Sequence, residues 1–200
     1  MIVIDIETIA IPNAPMPDFS APGNLKDPVK IAAAIEEKKA NWLADGALHA
    51  ERGQVVAIGW RNLKERAMTL TGPEPELLSA IWEVLRGETL VVGFNLHRFD
   101  LPFLIRRAWV NGVHVPMGSI FRNGRIDENR FVDLLKLWQC GDRQEYISLD
   151  MMARTLLGRG KTGSGADFGN LWAADRQAAL EYCKADVDLT WDCALRMGVI

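Results

Sequence analysis

An α/β domain with a mixed central sheet flanked by helices is the fold class that this 200-residue chain predicts, on three observations. Short runs rich in β-branched residues occupy the first half, at 2–7, 54–60, 67–71 and 89–94. Helical spacing of apolar residues dominates the second half. Hydrophobic residues make up 48% of the chain, enough for one sizeable core. Strands first and helices later, in a chain of this length, give a layered α/β unit.

The first strand, IVIDIE, is followed by a long connection at about 12–52, whereas connections in compact domains usually run to about 4–6 residues. It holds a turn-rich stretch and then a helix suggested by Ile31, Ala34, Ile35 and Trp42, and it reads either as a lid or flank of the first strand or as a decorative insertion. After the fourth strand, Asp100 starts a helix, Pro102 sits in its first turn and Gly112 ends it, with Leu101, Leu104, Ile105, Ala108 and Trp109 facing inward. A fifth extended piece is expected at 130–134. A helix follows from Ser148 or Asp150 to Gly158, then a glycine-rich loop. The last helix, roughly 176–197, carries an apolar stripe at Ala179, Cys183, Val187, Trp191 and Ala194. The whole is expected to be a single domain, 1–200.

Charge excludes one class of partner recognition. Lys and Arg total 23 against 26 Asp and Glu, a net charge of −3, so no global positive field draws the chain onto nucleic acid. A nucleic-acid partner therefore needs a local basic patch or bound metal. Arg122, Arg125 and Arg130 are candidates for a basic rim, or ordinary surface charge. Three cysteines without CxxC spacing read as reduced thiols, no apolar run reaches the length of a membrane span, and the first strand begins too early for a leader. A cytoplasmic protein with no membrane partner is expected.

Chemistry starts at "DIET". Acidic residues are depleted in strands, yet Asp5 and Glu7 interrupt an apolar one, and a period of two turns both carboxylates to the same face. Either a cation sits between them or the strand end emerges into water. Asp100, in NLHRFDLPFL, read alone is a helix cap. Tyr182 and Asp186 lie four residues apart on the last helix, phenol and carboxylate one turn apart on one face, which alone fits a solvated surface as well.

Taken together and in this order, DIET, NLHRFDLPFL and YCKAD resemble the DEDDy branch of the DnaQ-like 3′–5′ exonucleases, which have a ribonuclease H-like fold. The second motif looks most like the proofreading exonuclease domains of family B DNA polymerases, and GRGKTGSGADF looks like the lysine-bearing glycine stretch of stand-alone predicted exonucleases related to them. The resemblance runs from residue 2 to about 190. It implies two divalent cations, Mg²⁺ or Mn²⁺, held by Asp5, Glu7, Asp100 and Asp186: Asp5 bridging, Glu7 and Asp186 on the water-activating ion, Asp100 on the other largely through water. Oxygen-only ligands suit such hard ions, and no His or Cys cluster competes as a softer site. The implied reaction is hydrolysis at the 3′ end of single-stranded DNA, releasing nucleoside 5′-monophosphates, with Tyr182 orienting the nucleophile.

Thr8, Asn95, Phe99 and Lys161 are the expected substrate contacts, Phe99 by stacking on a base or else as a core aromatic. His97 reads as an exposed loop residue, and Asp133, Asp150 and Asp188 as structural or solvated. RNA instead of DNA, a small-nucleotide phosphodiesterase, and a non-catalytic nucleic-acid-binding module of the same fold stand as alternatives. No polymerase domain is recognisable, so a separate polymerase or repair partner is a further expectation.

Overall fold

A computed structural model describes every residue except Arg143 and Ser164. Five strands form the main sheet: β1 (Ile2–Ala10), β2 (Gly53–Asn62), β3 (Met68–Thr71), β4 (Val91–Gly93) and β7 (Phe131–Asp133), in the order β3-β2-β1-β4-β7. β1 pairs antiparallel with β2 and parallel with β4, so the sheet is mixed, as the patterning predicts. A separate hairpin joins β5 (Phe121–Arg122) to β6 (Arg125–Ile126) and carries Arg122 and Arg125.

Alternation along β1 divides the core in two. Ile2, Ile4 and Ile6 face one side and pack with α2 (Glu74–Arg86) and α3 (Asp100–Val110). Val3 faces the other side, toward α6 (Leu149–Leu157) and α8 (Arg176–Arg196). Asp5 and Glu7 have the parity of Val3, so they lie under α8. α8 presents the expected stripe, with Ala179, Cys183, Val187, Trp191 and Ala194 all buried.

Close approach of α8 depends on a residue without a side chain. Gly59 pairs with Asp5 across the ladder, and a Cβ placed there would sit 2.7 Å from Val187 Cγ2 and 2.8 Å from Cys183 Sγ. Gly59→Ala should therefore push α8 off the sheet, lowering stability by about 1–3 kcal/mol and activity with it, because Tyr182 and Asp186 ride on the same helix. A denaturant midpoint measured beside hydrolysis checks both effects.

Several expectations change in three dimensions. α2 has no counterpart among the predicted elements, although Leu77, Leu78, Ile81, Trp82 and Leu85 give it a buried face. Its Pro73 and Pro75 occupy the start of the helix, where a missing N–H does no harm. Trp109 is not inward-facing but 59% exposed: in the last turn of α3 it is Arg107 and Ala108 that face the core, which turns Trp109 and Val110 to solvent. Short elements α4 (Met117–Ile120), α5 (Leu134–Trp138) and α7 (Phe168–Ala174) also escaped prediction. Arg130 forms no basic rim: its guanidinium donates to the carbonyls of Glu88, Ser119 and Leu85, tying β7 to the end of α2. His97 is pinned rather than free, its Nε2–H donating to Phe131 O at 2.7 Å.

Residues 11–52 between β1 and β2 contain α1 (Pro28–Ala44), opened by the Asp27 side chain accepting from Val29 N–H at 2.9 Å, and a 3₁₀ turn at Gly46–Leu48. Among the described residues no helix is long and apolar enough to cross a membrane.

Candidate active site

Four carboxylates arrive at one cleft from three elements. Asp5 and Glu7 come from β1, Asp100 from the first residue of α3, and Asp186 from the middle of α8; with Tyr182 they line a cleft of about 540 Å³. Glu7, Asp100 and Asp186 are buried, and Asp5 is half-buried. A β-bulge follows Glu7, shifting the β1–β2 register between Glu7 and Thr8, a distortion that re-aims side chains at a strand end.

Asp100 is not a helix cap. Its Oδ1 accepts the backbone N–H of Ile6 at 3.1 Å, and no side-chain cap closes α3. β4 runs beside β1 only at Ile2 and Val3, so the carboxylate takes up a ladder donor further along that edge. The loop between β4 and α3 is held in turn by Asp133, which accepts from the N–H groups of Asn95 at 2.9 Å and His97 at 3.0 Å. Asn95 adopts a left-handed conformation there, φ 58°, and Asn95 and Phe99 both line the cleft. Phe99 also packs on Phe103, ring centroids 5.5 Å apart, so it serves core and cleft together.

The glycine-rich loop closes the third side. Asp150 Oδ1 accepts the backbone N–H of Lys161 at 2.8 Å while its other oxygen takes Arg154 Nε at 2.8 Å. That contact is possible because residue 160 is glycine; a Cβ there would lie 2.2 Å from Asp150 Oδ1. Lys161 Nζ then reaches Asp186 Oδ2 at 2.5 Å and lies 5.1 Å from the centre of the Tyr182 ring. Ser164, part of the predicted loop motif, lies outside the described residues. Thr8 Oγ1 donates to Ala47 O at 2.6 Å, committing its proton to the 3₁₀ turn and leaving its lone pairs for a ligand.

The electrostatics of this cluster are those of a site short of positive charge. Burial, then repulsion from Asp100, Glu7 and Asp186, raises Asp5 well above the usual carboxylate range. Burial and the Asp186 charge push Glu7 up to about 8. Burial pushes Asp100 up to about 7 despite the donor from Ile6. Burial alone would lower the Lys161 ammonium, but the Asp186 carboxylate outweighs it and raises the lysine. Tyr182 is raised by burial and then by Asp186, so it stays a phenol. Among the described residues its buried hydroxyl meets no partner at close hydrogen-bonding geometry, but the Lys161 ammonium and the Asp186 carboxylate lie beside it and interact with it electrostatically.

The sequence reading missed one residue lining the cleft and one buried behind it. Cys183 Sγ lies within 4.8 Å of carboxylate oxygens of Asp5 and Glu7, where no soft ligand was expected. It is a consequence of α8 packing at Gly59, and its thiol is raised first by burial and then by the neighbouring acids. Tyr146 lines the cleft at 67% exposure, with no sequence signal beyond being an aromatic two residues before a helix cap. The donor set fits hard divalent cations: four acids whose charged forms are disfavoured first by burial, and at Asp5, Glu7 and Asp100 also by neighbouring carboxylates, against one ammonium.

Comparison with known proteins places the chain beside exonuclease domains. Residues 47–200 match a family described as predicted 3′–5′ exonucleases related to the exonuclease domain of PolB. Over 128 residues, 58% of the chain, it is 30% identical to DNA polymerase 1 of Aeropyrum pernix, of which that stretch spans 13%. The structure of the family B DNA polymerase from Pyrobaculum calidifontis superposes over 98% of this chain and 24% of the polymerase, with a TM-score of 0.64 at 18% identity, a likeness of fold. The chain thus spans only a small part of either polymerase. By sequence, over residues 47–200, the chain belongs to the family of predicted 3′–5′ exonucleases related to the exonuclease domain of PolB.

Proposed function

We propose that the chain is a metal-dependent 3′–5′ exonuclease that removes nucleotides from the 3′ end of single-stranded DNA and releases nucleoside 5′-monophosphates. The observation that carries the proposal is the convergence of Asp5, Glu7, Asp100 and Asp186 with Tyr182 in one cleft. In this reading the four carboxylates hold two Mg²⁺ or Mn²⁺ ions. When bound, such a pair lowers the pKa of a water and stabilises negative charge on the phosphoryl oxygens.

The protein's own groups do the rest by placement. The Tyr182 hydroxyl, held beside Lys161 and Asp186, orients the attacking water, and because its pKa is raised it acts as a hydrogen-bonding group rather than a base. Lys161 holds Asp186 in place and puts a positive charge beside the phosphate position. Asn95, Phe99 and Thr8 line the cleft where the terminal nucleotide would lie. DNA is preferred over RNA because the sequence relative is a DNA polymerase. Matched DNA and RNA oligomers of one sequence test that choice; faster RNA shortening would overturn it.

Tyr182→Phe separates positioning from architecture. Deleting a buried hydroxyl that makes no close hydrogen bond among the described residues should change stability by less than about 1 kcal/mol. kcat should nevertheless fall on the order of 10²-fold with KM nearly constant. Thermal melting and steady-state kinetics on one oligomer give both readouts.

A further inference from the structure

None of the 17 residues of α1 is buried, so the helix is an arm whose anchored part is its C-terminal end. There Arg52 donates to Trp42 O at 2.8 Å, pairs with Asp45 at 2.9 Å and stacks 4.9 Å from the Trp42 ring centre. Thr8, the residue after Glu7, pins Ala47. The segment is thereby fastened to the strand that carries the carboxylate pair.

Beside this anchor runs a groove of about 750 Å³, with Asn41, Ala44 and Leu48 on the arm's side, Ile9 on its floor, and Gly169 and Asn170 of α7 opposite. Thr8, Ala47, Leu48 and Gly165 line both this groove and the carboxylate cleft, so the two are continuous. The groove is mainly aliphatic with two side-chain amides, and its one acid, Asp45, is already paired with Arg52. Leu48, 62% exposed, stands where groove and cleft meet. Aliphatic faces and amides suit base rings and their edges better than phosphate. Another way out of the cleft, past Asn95 toward Arg98 and Lys136, shares only Asn95 with it, and Lys136 is paired with Glu128.

We propose that this groove is the subsite for the unpaired nucleotides immediately 5′ of the one being removed, with residues 11–52 forming its wall. The inference rests on the exonuclease reading above. It predicts that affinity grows with strand length through contacts that a mononucleotide cannot make.

Two substrates separate the subsite from the chemistry: the p-nitrophenyl ester of thymidine 5′-monophosphate, which reaches only the carboxylate cleft, and a 5′-labelled oligothymidylate. A Cβ at Gly169 meets nothing within 4 Å, so Gly169→Trp is chosen to crowd the groove from α7 and Ala44→Trp from the arm, with thermal melts checking that both variants fold. Each should raise KM for the oligomer about tenfold and leave ester hydrolysis at the wild-type rate. Unchanged oligomer KM in both variants, or equal losses on both substrates, would overturn the proposal. So would a length-dependent KM increase in Arg98→Ala with none in the tryptophan variants. A wild-type protein that hydrolyses neither substrate counts against the exonuclease reading itself, not against the groove.

Discussion

Asp5→Asn should lower metal-dependent hydrolysis by roughly 10³-fold and at the same time raise the melting temperature of the metal-free protein at pH 8. The two effects have one cause. The charged neighbours of Asp5 are Asp100, Glu7, Asp186 and Lys161, three like charges against one opposite, so its ionised form is a repulsive element without metal and the main cation ligand with it. A neutral amide removes both roles. Asp186→Asn should match it in lost activity but not in gained stability, because Lys161, paired with Asp186 at 2.5 Å, then loses its partner in a partly buried position. Thermal melts in EDTA for the two variants check the contrast; equal stabilisation would contradict this account of the charges.

Removing metal should make stability depend steeply on pH. Glu7 moves from an ordinary 4.5 to about 8 and Asp100 from 3.8 to about 7 on folding. Between those values the folded protein binds more protons than the unfolded chain, so stability falls as pH rises. The stabilising contribution is complete below about pH 4 and is lost as pH passes 7 to 8. In EDTA the melting temperature should drop on the order of 5 °C between pH 5.5 and 8.5. Mg²⁺ or Mn²⁺ should reverse the drop at high pH, because the cations bind the folded carboxylates and not the unfolded chain. A melting temperature independent of pH in EDTA would mean that the cluster is not strained.

What the sequence made legible follows from how local each signal is. The shared face of Asp5 and Glu7 needs only the strand period, and the Tyr182–Asp186 face only the helical turn. Taken alone Asp100 looks like a cap, because Asp is favoured at helix starts, and only the ordered set of motifs marks it as a site carboxylate; its hold on Ile6 N–H, 94 residues away, follows from no local rule. Lys161 was read as a phosphate contact; its pairing with Asp186 depends on Asp150 folding the glycine loop back. Cys183 is legible as part of the buried stripe but not as a neighbour of the acids, because that nearness depends on Gly59, a residue of β2. By contrast α2 was legible and overlooked: Leu77, Leu78, Ile81, Trp82 and Leu85 carry helical spacing, masked by the prolines that open the helix.

The most direct test of the central claim is digestion of a 5′-labelled single-stranded DNA oligomer in Mg²⁺, Mn²⁺ or EDTA, with Asp5→Asn alongside. The account predicts a ladder that shortens from the 3′ end with metal, is absent in EDTA, and is lost in the variant. Shortening that persists in EDTA, or an Asp5→Asn protein as active as the wild type, would contradict it.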